Sequence, residues 1–324
     1  MAAQSVINAL TAALPTTQIH TPGSDEYTQL NNSYLSGLES DLHPAAILRP
    51  RSVDEVSKFL RTIKPFVDCG EVQFAIRGGG QQPARGCANI DGGGITLDLG
   101  LISDIELHND KNSNKIVSIG AGARWGAVYK KLDGTGLGVT GVRSSRGGIG
   151  GLALTGGHSF FSSREGFVCD NVVNYEVVLT SGAVVNANAN DNSDLWIALR
   201  GGGNNFGVVT RFDFRTFPQG RFWGGAVYYF ANSFPGQIEA LVAEVRKENP
   251  DEETHLMLSL GYAAAFGQNM CMNQTYYTKE VEKPAALEPF VAMQPQLDAL
   301  NTMRMMSIKE AAEEQAASGS DGVR

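Results

Sequence analysis

The chain has 324 residues, 42% of them hydrophobic and 19% charged, the composition of a soluble globular protein long enough for more than one domain. A net charge of −8 without a basic stretch argues against a nucleic-acid partner, and no run approaches the roughly 18 apolar residues of a membrane span. The four cysteines (Cys69, Cys87, Cys169 and Cys271) are scattered without a Cys-x-x-Cys pair, which fits reduced thiols and leaves isolated disulfides open.

The first residues, MAAQSVINALTAALPTTQ, lack a basic start, and Gln4 and Asn8 interrupt their apolar run. They read as a short amphipathic helix rather than a signal peptide, so a cytoplasmic protein is expected. Residues 1–39 are expected to form a peripheral arm. After Pro50, Ser52-x-x-Glu55 is a capping box, and Val53, Val56, Leu60 and Ile63 recur at helical spacing. The expected helix spans 53–63 and stops at Pro65. A β-prone run, Val72–Ile76, then enters Arg77-Gly78-Gly79-Gly80-Gln81-Gln82.

Strands are expected at Ile95–Leu99 and Lys115–Ile119, followed by a short helix carrying Trp125, Val128, Tyr129 and Leu132. A long Ser-, Arg- and Gly-rich loop is expected from Thr140 to Gly157. Tyr175–Thr180 and Ala183–Ala187, joined through Ser181-Gly182, carry a hairpin signal. Ser193 is placed as the cap of a helix Asp194–Leu199, which leads through Arg200-Gly201-Gly202-Gly203 into a strand Phe206–Phe214. Beyond Phe217-Pro218 the glycine content falls. There a strand Phe222–Phe230, a helix capped by Ser233 and carrying Ile238, Leu241, Val242 and Val245, and a strand His255–Tyr262 are expected. A tail helix Ile308–Ala317 fades into Ser318–Asp321, with no clear closing element. Strands and short helices mix without a regular βαβ rhythm, which predicts an α+β fold with a boundary near residue 218.

The 38 glycines are near 12% of the chain, against about 7% on average, and they cluster between apolar runs. A lone Gly-Gly-Gly is ordinarily just a turn. Successive glycines can also aim backbone N–H groups into one concavity that favours an anion such as a pyrophosphate. Arg-Gly-Gly-Gly occurs twice, at 77–80 and 200–203, so separated turns could converge on one extended ligand. A dinucleotide fingerprint at Gly120-Ala121-Gly122 lacks the acidic residue expected some twenty positions on; Arg143 stands there instead and leaves a weak NADP alternative. Gly148-Ile149-Gly150-Gly151-Leu152-Ala153 mimics the same fingerprint without a preceding strand, and Gly156-Gly157 interrupts the helix that should follow. No phosphate-binding P-loop, metal-binding or nucleophile-elbow motif is present. Among the histidines only His158 adjoins a glycine turn, and Asp170-Asn171 is either a solvated turn or a polar anchor.

Several ordered segments together resemble the FAD-binding domain of the vanillyl-alcohol oxidase and berberine-bridge-enzyme-like flavoproteins, most of all fungal FAD-linked oxidoreductases. They are Ala75–Gly80, Val117–Trp125, Gly148–Leu152, Gly166–Val173 and Ala198–Thr210. The resemblance implies a two-subdomain PCMH-type FAD-binding domain over 40–218, followed by a partial α+β substrate domain over 219–324. It implies cofactor contacts at Arg77, Gly78, Gly79, Gly80, Gln81, Gln82, Ser144, Ser145, Gly148, Gly150, Gly151, His158, Asp170, Asn171 and Val208. It further implies hydride transfer from a small secondary metabolite to flavin N5, with dioxygen as the usual acceptor. No metal is implied, and the oligomeric state is not read.

Three departures qualify that resemblance. Gln81 stands where many members carry a flavin-linked histidine, and Ser144 where doubly linked members place a cysteine, so non-covalent FAD is expected. The chain also stops at Arg324, partway through the substrate domain the resemblance implies, so no residue matches the family's general base. A shortened, non-catalytic flavin-binding or vestigial protein is therefore the alternative reading.

Overall fold

A computed structural model describes residues 2–110 and 115–318. Its first sheet runs in the order Gln18–His20, Ala46–Arg49, Ile95–Asp98, Phe74–Arg77, and the last three strands are parallel. Ile95–Asp98 is buried at all four positions, as a parallel strand covered on both faces requires. The helix Val53–Asp68 crosses between two of these strands and buries Val56, Leu60 and Ile63 of the predicted stripe together with Phe59, while Val53 is partly buried. It does not stop at Pro65. An internal proline costs about 3 kcal/mol, and Phe66 and Val67, the next two residues, pack against the core and offset it. The capping box is half as expected. Ser52 Oγ accepts from Glu55 N at 3.3 Å, whereas the Glu55 carboxylate accepts from Arg51 N at 2.7 Å.

The second sheet is antiparallel throughout, in the order Ile105–Asn109, Lys115–Gly120, Val208–Arg215, Val172–Val178, Val184–Asn188. Its buried face supplies Val117, Ile119, Tyr175, Val177, Phe212 and Phe214 to the core. The predicted hairpin is present and turns through Gly182 at φ +80°. The helix Ser193–Leu199 is preceded by Asn192 in a left-handed conformation, so Ser193 lies inside the helix instead of capping it. The expected 140–157 loop contains a short helix, Ile149–Leu154, whose Ile149 and Ala153 are fully buried; packing overrides the glycines around it.

A third sheet, Thr254–Ala263, Gln268–Tyr277, Phe222–Phe230, Arg304–Met306, is also antiparallel. The helix Phe234–Val245 sits against it in an unexpected orientation. Ser233 donates to Phe230 O rather than capping the helix. Gln237 is the buried residue, held by Asn273 Nδ2 at 2.6 Å, while Ile238, Val242 and Val245 are 48%, 40% and 77% exposed. After the strand Arg304–Met306, the helix Ile308–Ser318 returns to the first half of the chain. Its Ala311 and Ala312 are fully buried, and Ala312 O accepts from Ser145 N at 2.9 Å. Residues 319–321 of the expected tail lie outside the described residues. No described helix is long and apolar enough to cross a membrane.

The third sheet is joined to the rest through aromatic contacts. Phe160 meets Tyr276, His255 and Phe222 with ring centroids 4.7, 5.8 and 5.9 Å apart. Arg143 Nη1 lies 3.4 Å from His255 Nε2 and also touches Met257 Sδ, so Arg143 faces this junction. Burial, then the positive Arg143, then His158 hold the His255 pKa down to about 4. Tyr276, whose hydroxyl accepts from Gln315 at 2.7 Å, is pushed up to about 12, chiefly by burial.

The sign of the resulting pH dependence follows from proton counting. Between pH 6.5 and about 4 the unfolded chain binds a proton on His255 that the folded chain does not. Stability therefore falls as pH drops through that window, by on the order of 2–3 kcal/mol from this group. His255→Gln should flatten that part of the pH profile in denaturant unfolding. An unchanged slope between about pH 7 and 4 would show that His255 is not the group responsible.

Candidate functional site: a glycine-walled cleft

The strand Phe74–Arg77 delivers the chain into the turn 78–82 at the end of the first sheet. Opposite it, the turn 147–151 opens the helix Ile149–Leu154, and residues 203–207 lead into the central strand Val208–Arg215 of the second sheet. These three turns wall one cleft of about 410 Å³, within the range of cofactor and ligand sites. Gly78, Gly79, Gly80, Gln81, Gln82, Gly148, Gly150, Gly151 and Val208 all line it, and so does Gly203 of the second Arg-Gly-Gly-Gly.

The turns approach more closely than any side chain permits. A Cβ placed on Gly79 would sit 2.6 Å from Gly148 Cα, and one placed on Gly148 would sit 2.6 Å from Gly79 Cα. Glycine at both positions is thus a condition of the contact itself, and Gly79 touches backbone where the sequence suggested ligand. Gly151 differs, because a Cβ there meets nothing within 4 Å. Among the described residues, the backbone N–H groups of Gly79, Gly80, Gln81 and Gln82 find no backbone or side-chain acceptor. Amides left free in a concave turn form a nest for an anion. No Asp or Glu lines the cleft, so nothing there repels a diphosphate, and Leu99, Leu152, Val209 and Phe212 provide apolar wall. On backbone chemistry, charge and shape, these residues fit FAD.

The other predicted contacts do not line this cleft. Arg77 is buried and turned away, 3.6 Å from Asp98, with hydrogen bonds to Leu30 O at 2.8 Å and Ser33 Oγ at 2.6 Å. Ser144 accepts from Arg146 N within its own loop, and Ser145 is engaged by the final helix and by Gly126 N. His158 is exposed, with its ring 5.3 Å from that of Phe167. Asp170 accepts from Phe167 N at 2.9 Å. Asn171 is fully buried, donating to Glu165 O and Phe167 O and accepting from Arg215 Nε at 2.6 Å. At the dinucleotide fingerprint, Cβ atoms on Gly120 and Gly122 would collide with Ile102 O at 2.4 Å and Leu99 O at 2.0 Å. Those glycines admit neighbouring backbone, not a nucleotide.

Sequence reasoning missed two features of the site. Cys87, an exposed free thiol, lines the cleft and is the only titratable side chain to do so among the described residues. The second feature is the engagement of the N-terminal arm with the first glycine turn. Neither carries a local motif.

The FAD binding domain family matches residues 44–188. The chain is 37% identical over 295 residues to the FAD-dependent monooxygenase CTB5 of Cercospora beticola, covering 90% of this chain and 55% of that protein. It spans about half the length of the curated relatives it matches. The structure superposes on 6-hydroxy-D-nicotine oxidase from Arthrobacter nicotinovorans with a TM-score of 0.81 at 22% identity, covering 94% of this chain and 65% of that one. Against berberine bridge enzyme the TM-score is 0.76 at 18% identity, covering 95% and 62%. At those identities the superpositions establish the α+β fold. The three glycine turns around one acid-free cleft thus lie in a chain whose residues 44–188 match an FAD binding domain and which is similar over most of its length to fungal FAD-dependent monooxygenases.

Proposed function

We propose that this chain is an FAD-dependent oxidoreductase acting on a small organic molecule of fungal secondary metabolism, with FAD held non-covalently. The observation that carries the reading is the convergence of residues 78–82, 147–151 and 203–208 on one cleft without acidic side chains. The free amides of Gly79–Gln82 would hold the pyrophosphate, and Leu152, Val209 and Phe212 would keep water from the apolar parts of the cofactor. Once bound, FAD supplies hydride acceptance from a substrate C–H bond at N5, with dioxygen as the proposed acceptor. Gln81, at the position where the resemblance places a tethering histidine, lines the cleft as an amide, which supports non-covalent binding. The residue that takes the substrate proton is unassigned.

A second reading, flavin binding without turnover, has one observation in its favour. Among the described residues, no histidine, lysine, aspartate or glutamate lines the cleft to serve as a general base. The two readings separate on the purified chain loaded with FAD, reduced anaerobically with dithionite and then opened to air. Recovery of the oxidised flavin spectrum within seconds supports an oxidase, and slow recovery favours a binding protein or another acceptor.

The linkage is tested by acid precipitation, which should leave all the flavin in the supernatant. Colour retained in the pellet would overturn the non-covalent assignment. If Cys87→Ser released that colour, the tether would be Cys87. The cleft itself is tested by Gly79→Val. Its side chain would force the two turns apart, destabilising the fold by about 1–3 kcal/mol and weakening FAD binding at least tenfold, about 1.4 kcal/mol. Gly261→Ala, which adds its methyl to open space on the third sheet away from the cleft, should change FAD affinity less than threefold. Wild-type affinity in a folded Gly79→Val protein would place the cofactor elsewhere.

A further inference from the structure

The segment before residue 44 lies outside the matched FAD binding domain, and its sequence reads as a peripheral arm. In the structure it grips the first glycine turn at both ends. At the near end, Leu35 N donates to Gly80 O at 3.0 Å. Arg77, the residue that opens the turn, donates to Leu30 O and Ser33 Oγ, and its guanidinium lies 3.8 Å from the centre of the Tyr34 ring. At the far end, Tyr34 OH donates to Ala88 O at 3.1 Å, and Glu39 Oε1 accepts from Cys87 N at 2.7 Å and Ala88 N at 3.3 Å. Gly80 and Cys87–Ala88 are cleft-lining residues, as are Gln81 and Gln82 between them.

Glu39 is the unusual member of this set. It is fully buried, it has no cationic partner among the described residues, and its Oε2 has no hydrogen-bond partner. A buried carboxyl group is expensive unless it is hydrogen-bonded, and its side-chain hydrogen bonds all go to Oε1, from two successive amides of the cleft wall. Removing it would take this acceptor from both amides, that of Ala88 in a buried setting, where an unpaired N–H costs more than the loss of an ordinary hydrogen bond.

We infer that the N-terminal arm is a working part of the cofactor cleft and that Glu39 is a positioning residue, fixing the Cys87–Ala88 wall so that the 79–82 amides stay aimed at the ligand. The inference rests on the cleft being the FAD site. Glu39 touches no ligand; it acts through the backbone it holds.

Two readouts on the full chain test this: amide hydrogen exchange at Cys87 and Ala88 in the flavin-free protein, and FAD affinity from flavin fluorescence. Glu39→Ala should exchange at least tenfold faster at both amides and bind FAD at least fivefold more weakly. Glu39→Gln, which keeps one accepting oxygen, should restore both to within threefold of wild type. Tyr34→Phe should weaken FAD binding twofold to fivefold, and it carries the decision if Glu39→Ala does not fold. Tyr27→Phe, which loses a bond to Pro44 O but touches no part of the turn, should leave FAD affinity unchanged. Faster exchange in Glu39→Ala with wild-type FAD affinity would overturn the inference, as would equal weakening by Tyr27→Phe. A wild-type chain that protects both amides yet binds no FAD would overturn the reading of the cleft and leave only the structural contact.

Discussion

The contact between Gly79 and Gly148 ties two otherwise separate pieces of the fold together. One glycine follows the parallel strand Phe74–Arg77 of the first sheet, and the other caps the helix Ile149–Leu154. With a Cβ on either, the backbones would stand apart by the width of a methyl group, and a protein interior does not absorb such a gap without repacking. The cleft is the space left beside that contact. Its shape is therefore set by main chain on two sides, which side-chain substitutions at the surface do not reach.

The polar side chains around the cleft work at one remove. Arg77, Asp98, Ser33, Tyr34 and Glu39 form bonds at Arg77 and at residues 87–88, on either side of the first turn, and none of them lines the cavity. This division is sensible for a site that favours anions. A guanidinium at the wall would hold a phosphate strongly but as a mobile charge, whereas amides fixed by buried partners present their dipoles at no reorganisation cost. The third sheet is attached differently, by Phe160, Phe222 and Tyr276 packed edge to face with a neutral His255 among them. That junction combines apolar burial with a protonatable group, which makes it sensitive to acid.

What could be read from the sequence was mainly local. The strand-to-glycine transition at 76–80, the stripe of the helix after Ser52 and the hairpin at Ser181-Gly182 each follow from residue type and spacing, and each is present. Convergence of the glycine turns was legible only because several motifs occur in order. The choices that depend on partners were not legible. Pro65 passes through its helix because Phe66 and Val67 find the core; Arg77 turns inward because Asp98 and Leu30 O await it. Ile238 and Val242 face outward because Gln237 bonds Asn273, which comes from a strand thirty-six residues away. Glu39 looks like one more surface acid until residues 87 and 88 are placed above it.

The strand Thr254–Ala263 has a consequence for how the protein behaves in bulk. It is ten residues long, forms one border of its sheet, pairs among the described residues only with Gln268–Tyr277, and contains no lysine, proline or acidic residue. Native sheets usually protect such a border with charge, proline or a bulge. Here Leu260 and Tyr262 are exposed on the strand and Phe266 just beyond it, with Val242 and Val245 exposed on the helix Phe234–Val245. The net charge of −8 opposes self-association through long-range repulsion, which added salt screens. Colloidal stability of this chain is thus a balance between a sticky border and a repelling surface, and ionic strength sets which side prevails.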